Sequence, residues 1–221
     1  MSVAADPLDD AVARLRAGGL VAYPTETLYG VGVNARSEAA VEALRVFKGR
    51  AETQPLSILV TDAAELETLG CALGQSARRL VAAFWPGPLT LVLDCDTRFA
   101  TGVAGPDGGV GVRCSPHPVA RSLAARAAEA GVGPVTSTSL NRTGAPPART
   151  RADARALCSN ARGAAGGEPW LLDLPGSAEP GGIASTVVDA RGSALRVLRP
   201  GAVTEAALRL ALLASDEGGA R

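Results

Sequence analysis

Lysine is almost absent from this chain. Of 22 basic residues only Lys48 is a lysine, and the others are arginine. Histidine is as scarce, with His117 alone. The four cysteines, Cys71, Cys95, Cys114 and Cys158, form no CxxC pair. With one histidine and no such pair, the spacings of a structural zinc site are missing. The four thiols are expected to be free and buried or half-buried, as suits a reducing cytoplasm. Aromatic residues make up only 3%, which leaves few platforms for stacking nucleic-acid bases and hands the core to Leu, Val, Ile and Ala. The formal net charge is zero, so the totals show no broad basic face for nucleic acid. No run approaches the roughly 18 apolar residues of a membrane span. Met1 to Asp6 lacks the basic start and apolar run of a signal peptide. A cytoplasmic protein with no membrane association is expected.

What is present is a chain of 221 residues that is 47% apolar, enough to bury the core of one domain. Residues 1–214 read as that domain and 215–221 as a frayed tail. Asp6-Pro7 reads as an N-cap with proline at the first helical position, and Leu8, Ala11, Val12 and Leu15 follow on one helical face. Leu20 to Tyr23 reads as a short buried strand ended by Pro24. Ser37 can cap a helix that carries Val41, Leu44 and Phe47. Leu56 to Val60, Leu89 to Leu93 and Val110 to Arg113 read as strands. Asp62 to Leu69, Ser76 to Phe84 and His117 to Ala130 read as helices, the last closed by Gly131. Pro134 to Ser137 reads as a strand that runs into a polar loop, followed by a helix over Thr150 to Leu157. Ala161 to Gly167 is Gly/Ala-rich and reads as a surface loop. Trp170 to Leu174, Ser185 to Asp189 and Leu195 to Leu198 read as strands, and Thr204 to Ala214 as a final helix. Helices and strands alternate, with some strands adjacent in sequence. The pattern predicts an α/β fold: a twisted, open, mixed parallel and antiparallel sheet flanked by helices.

The polar groups cluster after strands, where α/β proteins place their ligand sites. Pro24-Thr25-Glu26-Thr27-Leu28-Tyr29-Gly30 sets two hydroxyls and a carboxylate directly behind a buried strand. Gly30-Val31-Gly32-Val33-Asn34-Ala35 matches a loose dinucleotide fingerprint but lies too far behind its strand to open a helix at once, which argues against a Rossmann site. Lys48-Gly49-Arg50, with Gln54-Pro55-Leu56 after it, places a compact charge and a guanidinium fork at a helix end. That is either complementarity to the helix dipole or a phosphate site. Thr136 to Gly144 is rich in hydroxyls and amides and can line a nucleotide pocket. Ser185 and Thr186 open one strand, and Arg199 ends another. His117 stands at a helix start, where capping is the expected role.

Taken in order, these segments resemble the YrdC-like family. The matching pieces are Pro24 to Gly32, Lys48-Gly49-Arg50 with Pro55-Leu56, Trp85 to Thr90, and Val112-Arg113. They continue with His117-Pro118, Ser139-Leu140-Asn141, Ser185 to Asp189, and Leu198-Arg199-Pro200-Gly201. The match runs from about residue 7 to about residue 210, and its strength is eight pieces in the right order. The resemblance implies a concave, positive pocket and a nucleotidyltransferase reaction: L-threonine, bicarbonate (or carbon dioxide) and ATP give threonylcarbamoyl-AMP and pyrophosphate. Partner proteins then move the threonylcarbamoyl group onto tRNA. It implies catalytic roles for Lys48 and Arg50, and ATP contacts from Lys48, Arg50, Gln54, Ser139, Asn141 and Arg199. Thr27, Arg113, Ser137 and Ser185 would hold L-threonine, with Arg113 on its carboxylate. Magnesium would arrive with ATP, without direct protein ligands. The chain departs from the family's commoner pattern at Ala51, Leu140 and Pro147, and it resembles the short single-domain form. Two rival readings are a carbamoyl-transfer enzyme of the same superfamily and a noncatalytic module for tRNA or double-stranded RNA. The missing CxxC pairs weigh against the first, and zero net charge with few aromatics against the second.

Overall fold

A computed structural model of the protein describes residues 6–51, 54–161, 165–192 and 194–213. The strands are β1 (Val21–Pro24), β2 (Tyr29–Gly32), β3 (Ser57–Leu59), β4 (Leu89–Leu93), β5 (Val110–Arg113), β6 (Thr136–Ser139), β7 (Trp170–Leu171), β8 (Thr186–Asp189) and β9 (Arg196–Arg199). They form one sheet in the order β7-β1-β2-β6-β3-β5-β4-β8-β9. The pairs β1/β7, β3/β5 and β4/β8 are parallel and the other five are antiparallel. The expected mixed, open sheet is what forms.

The helices are α1 (Pro7–Arg16), α2 (Glu38–Lys48), α3 (Glu65–Thr68), α4 (Gln75–Phe84), α5 (Pro118–Glu129), α6 (Arg151–Asn160) and α7 (Glu205–Leu213). Their starts follow local chemistry. The Asp6 carboxylate accepts from the Leu8 N–H at 3.0 Å with Pro7 behind it, and Ser37 accepts from Ala40 N–H. Thr150 and Asp153 close a reciprocal capping box, and His117 Nδ1 accepts from Val119 N–H. Each satisfies backbone donors that the first turn leaves orphaned.

The alternation of side chains along the strands divides the molecule into faces. Leu89, Leu91 and Leu93 of β4, Val110 and Val112 of β5, and Val188 of β8 pack with Leu44 and Phe47 of α2 and Leu80 of α4. On the other face, Val21 and Tyr23 of β1 and Leu59 of β3 pack against Val12 and Leu15 of α1 and Leu123 of α5. These two helices cover only part of that face. Ser57 shares it with Leu59 by the two-residue period, and there the uncovered sheet becomes the floor of a cavity. Glycine permits one close approach in the sheet: a Cβ on Gly32 would stand 2.0 Å from the Thr136 carbonyl oxygen.

Several expectations are corrected here. Tyr29–Gly32 is a strand, antiparallel to β1, so the segment after Pro24 is the turn of a hairpin rather than an extended polar loop. Thr136–Ser139 is itself strand, although its side chains are all short and polar, because it is hydrogen-bonded on both sides by β2 and β3. The strand expected over residues 170–174 narrows to Trp170–Leu171. Cys71 and Cys95 are not free thiols but a disulfide with Cα atoms 3.9 Å apart. The neighbouring backbone already pairs, with Ala72 N–H donating to Asp94 O at 2.8 Å and Asp96 N–H to Gly70 O at 3.1 Å. Cys114 and Cys158 are free and buried as expected. The expected frayed tail and the middle of the 161–167 loop lie outside the described residues.

Candidate functional site

The cavity encloses about 640 Å³, within the ~300–1,000 Å³ usual for small-molecule sites. Its floor is made of the polar partners of the core positions: Thr90 of β4, Gly111 and Arg113 of β5, Ser57 of β3, Ser137 and Ser139 of β6, and Val187 and Asp189 of β8. One wall is the β1–β2 turn, with Thr25 and Thr27. Another is the segment from Arg50 to Pro55, and a third is Ser185 with Leu198 and Arg199.

Three guanidinium groups line this one space. Arg50 is aimed by three acceptors: Nε donates to Gln54 O at 3.1 Å, Nη1 to Thr138 Oγ1 at 3.1 Å and Nη2 to Pro55 O at 2.8 Å. Arg113 Nη2 donates to Glu26 Oε1 at 2.7 Å and to Thr27 Oγ1 at 2.5 Å, while its Nε is buried with no hydrogen-bond partner. Arg199 Nη2 donates to Ser185 O at 2.9 Å and Ser185 Oγ at 3.1 Å. Arg199 reaches Ser185 because β9 carries a bulge: Val187 faces Arg199 and Val188 faces Val197, so Leu198 is the extra residue. The bulge lets consecutive Leu198 and Arg199 both face the cavity, which regular alternation forbids.

The three cations press on one another. Burial lowers Arg50 from the ordinary arginine value, with the charges of Arg199 and Arg45 adding to it. Arg199 is exposed on its outer side, yet desolvation against the wall and the Arg113 charge lower it too. The carboxylates nearby are already committed. Glu26 serves Arg113 and accepts from Ser115 Oγ, and Asp107 and Asp189 both hold Arg191 at the rim, at 2.6 and 2.8 Å. The cavity therefore has an excess of positive charge aimed at an anionic ligand.

Of the residues singled out from sequence, Arg50, Gln54, Thr27, Arg113, Ser137, Ser139, Ser185 and Arg199 all line this cavity. Lys48 and Asn141 stand behind its wall. The Lys48 ammonium is buried and donates to Ser139 O at 2.5 Å, to Asn141 O at 3.0 Å and to Asn141 Oδ1 at 3.0 Å. Burial, with the Arg50 charge, pushes it down to about 7. Asn141 Oδ1 also accepts from Ser139 Oγ at 2.6 Å, and its amide donates to Ala145 O at 2.7 Å. Leu140 is fully buried in the core, so its bulk does not intrude on the site. Among the residues that sequence reasoning left unassigned, Thr90 pairs its hydroxyl with Ser185 Oγ at 2.9 Å, and Glu26 and Ser115 back Arg113. The alternation of Leu89-Thr90-Leu91 was the available signal for Thr90, since Thr90 is the polar position between two core leucines.

Fold and cavity together define an α/β protein whose half-covered sheet presents a cationic cleft, lined with hydroxyls, to a small anionic ligand. The chain belongs to the Sua5–YciO–YrdC family, described as "Telomere recombination", whose profile matches residues 13–201. It is 42% identical over 146 residues to the threonylcarbamoyl-AMP synthase of Stenotrophomonas maltophilia, covering 65% of this chain and 76% of that one. Among solved structures it is similar to the H234A/Y235A form of P. abyssi Sua5, at 30% identity and a TM-score of 0.78, over 93% of this chain and 60% of that one. It is likewise similar to P. abyssi Sua5 complexed with L-threonine, at 32% identity and a TM-score of 0.76. There the match covers 88% of this chain and 54% of the Sua5 chain. This chain thus spans little more than half the length of the solved Sua5 chain. Among the described residues no helix is long and apolar enough to cross a membrane.

Proposed function

We propose that this chain is an L-threonylcarbamoyladenylate synthase, which joins L-threonine, bicarbonate (or carbon dioxide) and ATP into threonylcarbamoyl-AMP and releases pyrophosphate. The observation that carries the reading is the convergence of Arg50, Arg113 and Arg199 with small hydroxyls on one cavity, in a chain whose relatives bear that activity in their names.

The threonine amine attacks carbon dioxide and loses a proton, giving a carbamate. With bicarbonate as the source, water is also released. A carbamate oxygen then attacks the α-phosphorus, the bond from that phosphorus to the bridging oxygen breaks, and pyrophosphate leaves. No covalent bond to the enzyme is required, so catalysis is positioning and charge stabilisation. Arg50 and Arg199 would hold the phosphates as preorganised forks. Arg113, Thr27, Ser137 and Ser185 would hold the amino acid, and Gln54 and Ser139 the nucleotide. Lys48 and Asn141 would act from behind, setting the position of the Ser139 wall. Because the cavity's carboxylates are committed to Arg113 and Arg191, magnesium, which screens phosphate charge, would be held by ATP oxygens rather than by a protein cage. The activated product would pass to partner proteins that modify tRNA, with tRNA itself a further partner and the cytoplasm the compartment.

Pyrophosphate release from ATP and bicarbonate, measured with and without L-threonine, tests this. Threonine-dependent release is expected, falling on the order of 10²-fold in Arg50→Ala and in Arg199→Ala, the usual loss for one preorganised donor. Folded protein without threonine-dependent release would sink the reading. RNA affinity that falls steeply with salt would then favour the RNA-binding alternative.

A further inference from the structure

The β1–β2 turn contains a run of hydrogen bonds whose directions are fixed by chemistry. A hydroxyl has one proton, a carbonyl oxygen only accepts, and a guanidinium only donates. Thr25 Oγ1 lies 2.7 Å from Leu28 O, so its proton points there. Thr25 Oγ1 and Thr27 Oγ1 are 2.9 Å apart, and Thr27 must therefore be the donor of that pair. Arg113 Nη2 donates to Thr27 Oγ1 from the other side. The Thr27 oxygen, facing the cavity, is left with a lone pair and no proton, and that lone pair has no partner among the described residues.

The surroundings hold this direction in place. Glu26 Oε1 holds Arg113, Ser115 Oγ donates to Glu26 Oε2 at 2.5 Å, and His117 N–H donates to Ser115 Oγ at 3.2 Å. The backbone carbonyls of Glu26 and Thr27 accept from the N–H groups of Gly181 and Gly182 at 2.9 and 2.8 Å.

We propose that Thr25 and Glu26 are positioning residues that fix Thr27 as an acceptor-only group, so that Thr27 receives an N–H of the substrate's amino group. This rests on the synthase reading and deepens it. The unpartnered Nε of Arg113 stands beside Thr27 as a group that only donates. An acceptor-only oxygen next to a donor-only guanidinium is the complement of an α-amino acid head, whose ammonium donates and whose carboxylate accepts.

Three ligands separate the possibilities in calorimetric or competition binding: L-threonine, 3-hydroxybutanoate, which lacks the amino group, and L-2-aminobutanoate, which lacks the hydroxyl. The wild-type protein should prefer L-threonine to 3-hydroxybutanoate by roughly tenfold or more, the size of one hydrogen bond from a charged donor. Thr25→Val should shrink that ratio several-fold and leave both the 2-aminobutanoate ratio and the KM for ATP unchanged. Thr25→Ser, which keeps the hydroxyl, should restore it, and Thr27→Val should reproduce the loss independently. A collapse of the 2-aminobutanoate ratio instead would mean that Thr27 serves the substrate hydroxyl and would overturn the proposal. So would an unchanged 3-hydroxybutanoate ratio in both valine variants. Wild-type protein that binds no L-threonine would remove the synthase reading itself, and this inference with it.

Discussion

Lys48 persists in a chain where every other basic residue is arginine, and its surroundings give a reason. Three acceptors converge on one nitrogen at 2.5–3.0 Å. A compact ammonium with three rotatable donors satisfies them, whereas a planar guanidinium fork does not. Its titration also has a fixed sign. An unfolded lysine keeps its proton to about 10.5, while Lys48 in the fold releases it near 7. Between those values the unfolded chain binds more protons, so stability from this group rises with pH, by at most about 1.4 kcal/mol per unit. Below 7 both states are charged and the full cost of the buried charge stands. Urea midpoints of wild type and Lys48→Met between pH 6 and 10 should therefore diverge in favour of wild type above pH 7. A constant difference would mean that the three carbonyl oxygens keep the ammonium charged throughout. The sequence marked Lys48 as unusual without revealing that it works from behind the wall, because the 91-residue separation from Ser139 leaves no local pattern to read.

At the scale of elements, the β8–β9 bulge turns a strand end into part of the site. Side chains on a strand alternate, so removing one residue reverses the face of everything beyond it. Deleting Leu198 should swing Arg199 away from Ser185 and reduce threonine-dependent pyrophosphate release on the order of 10²-fold. Leu198→Ala, which keeps the register, should retain most activity. Thermal melts should separate the two causes: a melting temperature near wild type with activity lost identifies register rather than unfolding. The helices were the legible elements. Asp6-Pro7, Ser37 and Thr150 announce their starts through side-chain chemistry that acts within three residues. Strands β2 and β6 were hidden for opposite reasons. Tyr29–Gly32 carries two glycines, and Thr136–Ser139 has no apolar face, so each owes its strand state to neighbours brought in from elsewhere in the chain. The site was legible as a set of segments because its side chains sit at strand ends. The Glu26–Ser115 support for Arg113 was not, since it joins positions 89 residues apart.

For the whole molecule, the Cys71–Cys95 bridge closes a loop of sequence separation 24 on the side of the fold away from the arginines. Constraining that loop in the unfolded chain is worth about 3 kcal/mol, while the backbone pairs around it persist without the bond. The double variant Cys71→Ser/Cys95→Ser should lose stability of that order in denaturant titration and leave turnover unchanged. An altered turnover would show that the bridge reaches the cavity, through Asp94 and the Arg191 network. Neither spacing nor composition pointed to this pair, because two cysteines meet only when the α3–α4 connection folds onto the end of β4.

The sheet is open at both sides, and unpaired strand edges invite other chains to add on and build fibres. β7 offers only two residues, too short a template for stable addition. β9 places an arginine at each end and interrupts its own hydrogen-bonding row with the Leu198 bulge. The kink that delivers Arg199 to the cavity thus also guards against aggregation, and straightening it would endanger solubility together with chemistry.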